Sequence, residues 1–243
     1  MIFKNISNKP YLKHPNAVVF WLLFLALYFP IVSFLLVSIG LLGFIFWPFQ
    51  SYDVNVKNTP SQSVTVISHG LKDDNRSWVT TLEKQLLEKD NTTSVIGVDW
   101  SRFADNALTC SVNGRRIGNN IAHLLLSNPN LKNIKLIGHS CGAFVNYGIC
   151  EVITQSNTNI TIKSIYLDPV SIYGGLFWDF GINKFGSCAD QSITYFDTDD
   201  NVPGSNRAPI HSFGVDVTNY KRQFKFEGSP HQWPIYYYIS INE

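Results

Sequence analysis

Ser140 stands in Gly-His-Ser-Cys-Gly, residues 138–142, with a glycine two places away on either side. A serine hydroxyl is a weak nucleophile at its free pKa, so acyl-transfer chemistry needs it exposed on a turn and set beside a base. Small flanking residues permit such a strand-to-helix turn, which also leaves backbone N–H groups free at a helix N-terminus. The apolar run Asn133–Gly138 precedes the motif and a helical pattern reaching about Thr154 follows it, which is the context the motif demands. Ser140 is therefore the candidate nucleophile.

The base must come from six histidines. His14 precedes a long apolar run, His123 falls within a helical pattern, and His139 lies inside the turn beside the serine. His69, followed by Gly70 after a strand pattern, suits an oxyanion loop better than a base. Of the remaining two, His231 opens a loop that enters a final helix and is favoured; His211 begins the strand-like run HSFGVDV. The acid must hold the other imidazole nitrogen. Asp168 ends one strand pattern, while Asp197, Asp199 and Asp200 end the next and compete with it. An aspartate at a strand end is also an ordinary turn former. All four lie between the serine and the histidine, which is the order of α/β-hydrolases.

The elements that must position these groups alternate. Strand patterns at Ser63–Ser68, Thr93–Trp100, Asn133–Gly138, Thr161–Asp168 and Ser192–Asp197 are separated by helical patterns near Trp78–Lys89, after Asn113 and after Ser140. Such alternation predicts an α/β fold, a mostly parallel sheet with helices on both faces. Ligands in these sheets bind beyond the strand C-termini, where each candidate residue falls. Four cysteines are too few for a disulfide framework. Cys110 and Cys188 lie in loop-like segments able to pair, while Cys141 and Cys150, on the helix after Ser140, read as buried thiols.

The first fifty residues differ from the rest. No charge occurs from Ala17 to Phe49, a run longer than the roughly twenty apolar residues that cross a bilayer. Pro30 splits it into a piece too short to span and one long enough alone, so one kinked or tilted span is expected rather than a hairpin. Lys4, Lys9 and Lys13 precede the run, which places the N-terminus in the cytoplasm and everything beyond it on the exported side. The expected organisation is a cytoplasmic segment 1–16, a transmembrane anchor 17–49, a polar linker 50–62 and a catalytic domain 63–243. A net charge of +1 offers no nucleic-acid face.

Several short motifs occur in a family's order: SHGL at Ser68–Leu71 with a tryptophan soon after, VDW at Val98–Trp100, IGNNIA at Ile117–Ala122, IGHSCGA at Ile137–Ala143, LDP at Leu167–Pro169, and HQWPIYYY from His231. Over most of residues 63–240 the chain resembles the pancreatic-lipase-like family of α/β-hydrolases, which includes triacylglycerol lipases and phospholipases of the A1 type. The resemblance implies a serine hydrolase of lipid carboxylic esters, with Asp168 as the acid, His231 as the base, and the N–H groups of Leu71 and Cys141 as oxyanion donors. No metal cluster with ligand spacing is visible in the sequence, so no metal or cofactor is implied, nor an obligate protein partner; the expected partners are a lipid ester and a bilayer. The chain departs from the family in three ways: Cys141 stands where leucine is usual, no long lid precedes His231, and the sequence stops soon after that histidine. The aromatic, glycine-rich stretch Val170–Cys188 should overhang the site, as an acyl-binding wall or as packing. A lipase-like lipid-binding protein without catalysis, and an acyltransferase or peptidase with the same residues, are the competing readings.

Overall fold

The computed structural model describes residues 15–47, 60–156 and 159–242. The N-terminal lysines, His14 and nearly all of the expected linker lie outside them. The chain divides into two units, Met1–Trp47 and Pro48–Glu243.

Among its described residues the first unit forms the helix α1 (Pro15–Phe46), which runs continuously through Pro30. Proline removes a single backbone donor, and no break into a hairpin results. The helix ends three residues short of the expected limit at Phe49. Its stretch Ala17–Phe46, of 30 residues, is apolar and long enough to cross a membrane. At about 1.5 Å per residue such a helix exceeds the roughly 30 Å hydrocarbon core, leaving length for tilt.

The second unit alternates as the sequence predicts: β1 (Ser63–Ser68), α2 (Trp78–Lys89), β2 (Ser94–Val98), α3 (Cys110–Leu126), β3 (Asn133–His139), α4 (Gly142–Gln155), β4 (Thr161–Leu167), α5 (Phe180–Lys184), β5 (Gln191–Phe196), β6 (Phe213–Asp216), α6 (Thr218–Gln223) and α7 (Trp233–Ser240). The six strands form one sheet in the order β2-β1-β3-β4-β5-β6, and every pair is parallel. Alternate side chains explain the layers. Val64, Val66, Ile134, Leu136 and Ile162 pack with Ile117, Ile121, Val145 and Ile149 of α3 and α4. Ile67, Ile137, Ile165 and Leu167 pack on the opposite face with Val79 and Leu82 of α2 and Ile235 and Ile239 of α7. Strands buried on both sides read as continuous apolar runs, which is why they stood out in the sequence. This is the α/β-hydrolase arrangement.

Helices α3 and α4 meet closely. A Cβ on Gly118 would lie 2.3 Å from the Val145 carbonyl oxygen, and one on Gly148 would lie 2.3 Å from that of Arg115. This approach brings the starts of the two helices together and corrects the cysteine assignment. Helix α3 begins three residues earlier than expected, so Cys110 is helical, and it is bonded to Cys141 at the start of α4 with a Cα–Cα distance of 6.2 Å. Cys150 is bonded to Cys188 at 5.8 Å. Neither Cys141 nor Cys150 is a free thiol, and Cys110 and Cys188 pair with these helical cysteines, not with each other.

Candidate active site

From β1 the chain moves outward to β2 and returns past β1 to β3, so the crevice beyond the β1 and β3 C-termini is a topological switch point. Two loops meet there, one carrying His69–Leu71 and the other carrying Ser140. Ser140 has a φ of +53°, a left-handed backbone that costs a non-glycine residue about 1–3 kcal/mol. Its neighbours fix that conformation: the Ser140 N–H donates to the Leu167 carbonyl at 3.1 Å. The flanking glycines are required by close approach. A Cβ on Gly142 would sit 2.3 Å from the Ser68 carbonyl oxygen, and one on Gly138 would sit 2.6 Å from that of Gly142.

Gly70 runs directly against the serine, since a Cβ there would lie 2.9 Å from the Ser140 Cβ. Next to it, the N–H of Leu71, like that of Cys141 at the N-cap of α4, donates to no protein acceptor among the described residues. Two such donors beside a serine are what an oxyanion needs. His69 is fully buried and fixed: its Nδ1 donates to the Gly70 carbonyl at 2.9 Å and its Nε2 accepts the Trp100 N–H at 3.3 Å. Burial lowers its pKa further, so it is a neutral brace for the loop.

His231 lies in a short 3₁₀ turn, Pro230–Gln232, just before α7. Its Nδ1 meets two carboxylates, Asp168 Oδ2 at 3.1 Å and Asp200 Oδ2 at 2.8 Å. Asp168 follows β4 with a φ of +45° and is completely buried. Asp200, in the loop after β5, is nearly so. Each carboxylate has further donors. The Asn206 N–H reaches Asp168 Oδ1 at 3.3 Å, the Val202 N–H reaches Asp200 Oδ1 at 3.1 Å, and the Ser205 hydroxyl donates to Asp200 Oδ2. With both carboxylates on Nδ1, the proton belongs on that nitrogen and Nε2 is left as a base. His139 supports the same loop through its Nε2, which donates to the His231 carbonyl at 3.0 Å. Among the described residues no hydrogen bond joins Ser140 Oγ to the His231 ring.

The electrostatics follow from burial and from sharing. Burial pushes the Asp168 carboxyl up to about 7, against the pull of His231. Burial would raise Asp200 too, but its hydrogen bonds from His231 and Ser205 outweigh that and hold it well below the usual range. For His231, burial favours the neutral ring, yet the two carboxylates prevail and raise it to about 9. Burial lowers His139 to about 3, which keeps a second positive charge away from His231. Asp168, Asp200 and His231 have ligating atoms within 4.8 Å of one another. Holding a cation would require Nδ1 to lose the proton that both carboxylates accept, so these three are better matched to the imidazole than to a metal.

The other candidates lie elsewhere. Asp197 and Asp199 turn to Lys221, at 2.6 and 3.1 Å, and take no part around His231. His211 is exposed in the turn before β6. The stretch Val170–Cys188 divides in two: Tyr173, Phe180 and Phe185 pack around Phe144, while Leu176, Phe177 and Trp178 are exposed at its tip. Sequence reasoning missed Ser205 and Asn206, two polar residues of an unpatterned loop that carry no local signal.

A family model described as Lipase matches residues 50–175, more than half of the chain. That span includes Leu71, Ser140, Cys141 and Asp168 but ends before Asp200 and His231. The chain is 37% identical over 136 residues to a phospholipase A1 of Polybia paulista, a match covering 49% of this chain and 42% of that protein. It thus spans less than half the length of that curated relative. Among solved structures, a putative hydrolase of the α/β superfamily from Xanthomonas campestris pv. campestris has a TM-score of 0.46 at 11% identity, covering 74% of this chain and 97% of that one. A lipase-esterase related protein from Clostridium acetobutylicum has a TM-score of 0.34 at 20% identity, covering 49% of this chain and 47% of that one. At these values neither adds to the fold read from the sheet.

Proposed function

The chain belongs to the lipase family, of the pancreatic-lipase-like type, and on that premise we propose that it is a serine hydrolase of lipid carboxylic esters. The observation that carries this reading is the buried pair of carboxylates on His231 Nδ1, beyond the same C-terminal strand ends as the strained Ser140. Ser140 Oγ attacks the ester carbonyl carbon and its proton passes to His231 Nε2. The carbonyl oxygen becomes an oxyanion, held by the N–H groups of Leu71 and Cys141, each worth about 2.7–4 kcal/mol in such sites. Collapse breaks the ester bond, and His231 returns the proton to the departing alcohol. Water, deprotonated by His231, then attacks the acyl-serine and releases the acid. Asp168 and Asp200 together stabilise the imidazolium formed in each half-reaction. Asp168 is the family's acid by position, and the second carboxylate contact at His231 Nδ1 supports Asp200 as its partner.

The same reading covers the whole chain. Helix α1 anchors the protein in a bilayer, residues 50–62 form a linker, and residues 63–243 form the catalytic domain. The lysines before α1 favour a cytoplasmic N-terminus. The two disulfides support a domain on the oxidising, exported side. The test is fatty-acid release from monoacyl and phospholipid esters by the purified full chain. Turnover lost in Ser140→Ala is expected. Turnover unchanged in that variant would place the chemistry elsewhere, and none in the wild type would favour a non-catalytic lipid-binding protein.

A further inference from the structure

Toward the N-terminal ends of the central strands β3 and β4, five residues before Ser140 and five before Asp168, stand Lys135 and Lys163. They are register partners on β3 and β4, and the same row continues to Thr65 on β1 and Gln191 on β5. The next row on this face, Ile67, Ile137, Ile165 and Ile193, is apolar, so the polar row is a sharp interruption. Neighbouring strands lie about 4.8 Å apart, which sets two like charges side by side, an arrangement that destabilises a sheet. Among the described residues neither ammonium has an ion pair. Both are half-buried in the wall of a cavity of about 410 Å³. Lys89 and Asp90 stand on its rim, but the Asp90 carboxylate is occupied by the Thr92 and Thr93 hydroxyls, at 2.6 and 2.7 Å. Burial and then the Lys163 charge lower the pKa of Lys135, and the Asp90 charge on the rim offsets this only in part.

We propose that Lys135 and Lys163 form a binding site for a compact oxyanion of the phosphate class, either free phosphate or the phosphate of a lipid headgroup. Two ammonium groups supply the charge for a group with several acceptor oxygens. Thr65, Asn133, Thr161 and Gln191, which line the same cavity, add hydroxyl and amide donors. Five residues of strand separate this site from Ser140 by roughly 17 Å, so it stands independently of the ester chemistry.

The test is thermal unfolding of the full chain in neutral-detergent micelles at fixed ionic strength. In one arm inorganic phosphate replaces chloride; in the other the micelles are doped with phosphatidic acid. The expected result is a saturable rise in Tm in one arm, lost in the Lys135→Gln/Lys163→Gln protein. Stabilisation by free phosphate assigns a soluble ligand, and stabilisation by doped micelles alone assigns a headgroup. Lys163→Gln alone is the second variant. It is expected to raise the ligand-free Tm, because repulsion is relieved, and to weaken the anion's affinity about tenfold, a difference of roughly 1.4 kcal/mol. A double variant that does not fold leaves that single variant to decide. No shift in either arm, or equal shifts in the wild type and the variants, overturns the site.

Discussion

Strands β3 and β4 carry charge or chemistry at both ends, and the two ends treat it oppositely. Beyond the C-termini, Asp168 and Asp200 are buried beside His231, whose Nδ1 donates to both, and each carboxylate accepts a further backbone N–H. Toward the N-termini, Lys135 and Lys163 sit side by side, half-buried, with no carboxylate within ion-pair distance among the described residues. Burying a charge is costly unless it is paired. The first end meets that cost internally, which rigidifies the histidine and tunes its proton. The second leaves the cost unmet, which marks a surface that gains from an added anion. Mutual satisfaction within the chain therefore points to chemistry, and its absence points to a ligand.

The largest effects should come from the satisfied end. His231→Ala is expected to lower ester turnover by roughly 10⁴–10⁶, since serine and histidine act as a unit. Asp168→Asn combined with Asp200→Asn should approach a 10⁴-fold loss, because an Nδ1 without a carboxylate favours the wrong tautomer. Each single Asn variant should lose far less, as the other carboxylate still holds the ring. Steady-state kinetics of the four proteins checks this. A single variant as impaired as the double would show that one carboxylate acts alone.

Next in size is the Cys110–Cys141 bond, which ties the start of α3 to the residue after Ser140 across 31 positions. Its removal by Cys110→Ser should cost on the order of 3–4 kcal/mol in stability, read as a fall in Tm. The pH profile gives a subtler effect. Only the neutral imidazole accepts the serine proton, and two carboxylates raise His231 to about 9. Turnover should therefore increase with pH well above the ordinary histidine midpoint. In Asp200→Asn that midpoint should move down, so the variant's deficit shrinks at lower pH. The smallest effect belongs to the unsatisfied end: Lys163→Gln should gain about 0.2–1 kcal/mol without phosphate, seen in denaturant melts. A loss there would mean the lysines are compensated in solution.

The elbow was legible because its chemistry and its backbone are written in one contiguous pentapeptide. Glycines at 138 and 142 are required by close approach, and the strand and helix around them have strong periodic signals. The strands were legible from their short β-branched apolar runs. The second carboxylate was not resolvable among its neighbours. Asp197, Asp199 and Asp200 end the same strand, and only the turn after β5 decides which side chain reaches His231 and which reach Lys221. The disulfides were misread because pairing depends on how α3 lies against α4, a matter of tertiary packing set by Gly118 and Gly148. The paired lysines fell unseen inside two separate strand patterns, since register alone makes them neighbours.

Every role assigned around the sheet's C-terminal crevice depends on Ser140 being a nucleophile activated by His231. Labelling the full chain with a fluorophosphonate, followed by mass analysis of the modified peptide, tests it most directly, because the probe forms a covalent bond only with an activated serine. Stoichiometric modification of Ser140 is expected, absent in Ser140→Ala and strongly slowed in His231→Ala. A folded wild-type protein that stays unlabelled, or one labelled equally fast without His231, would show that Ser140 is not activated by that histidine.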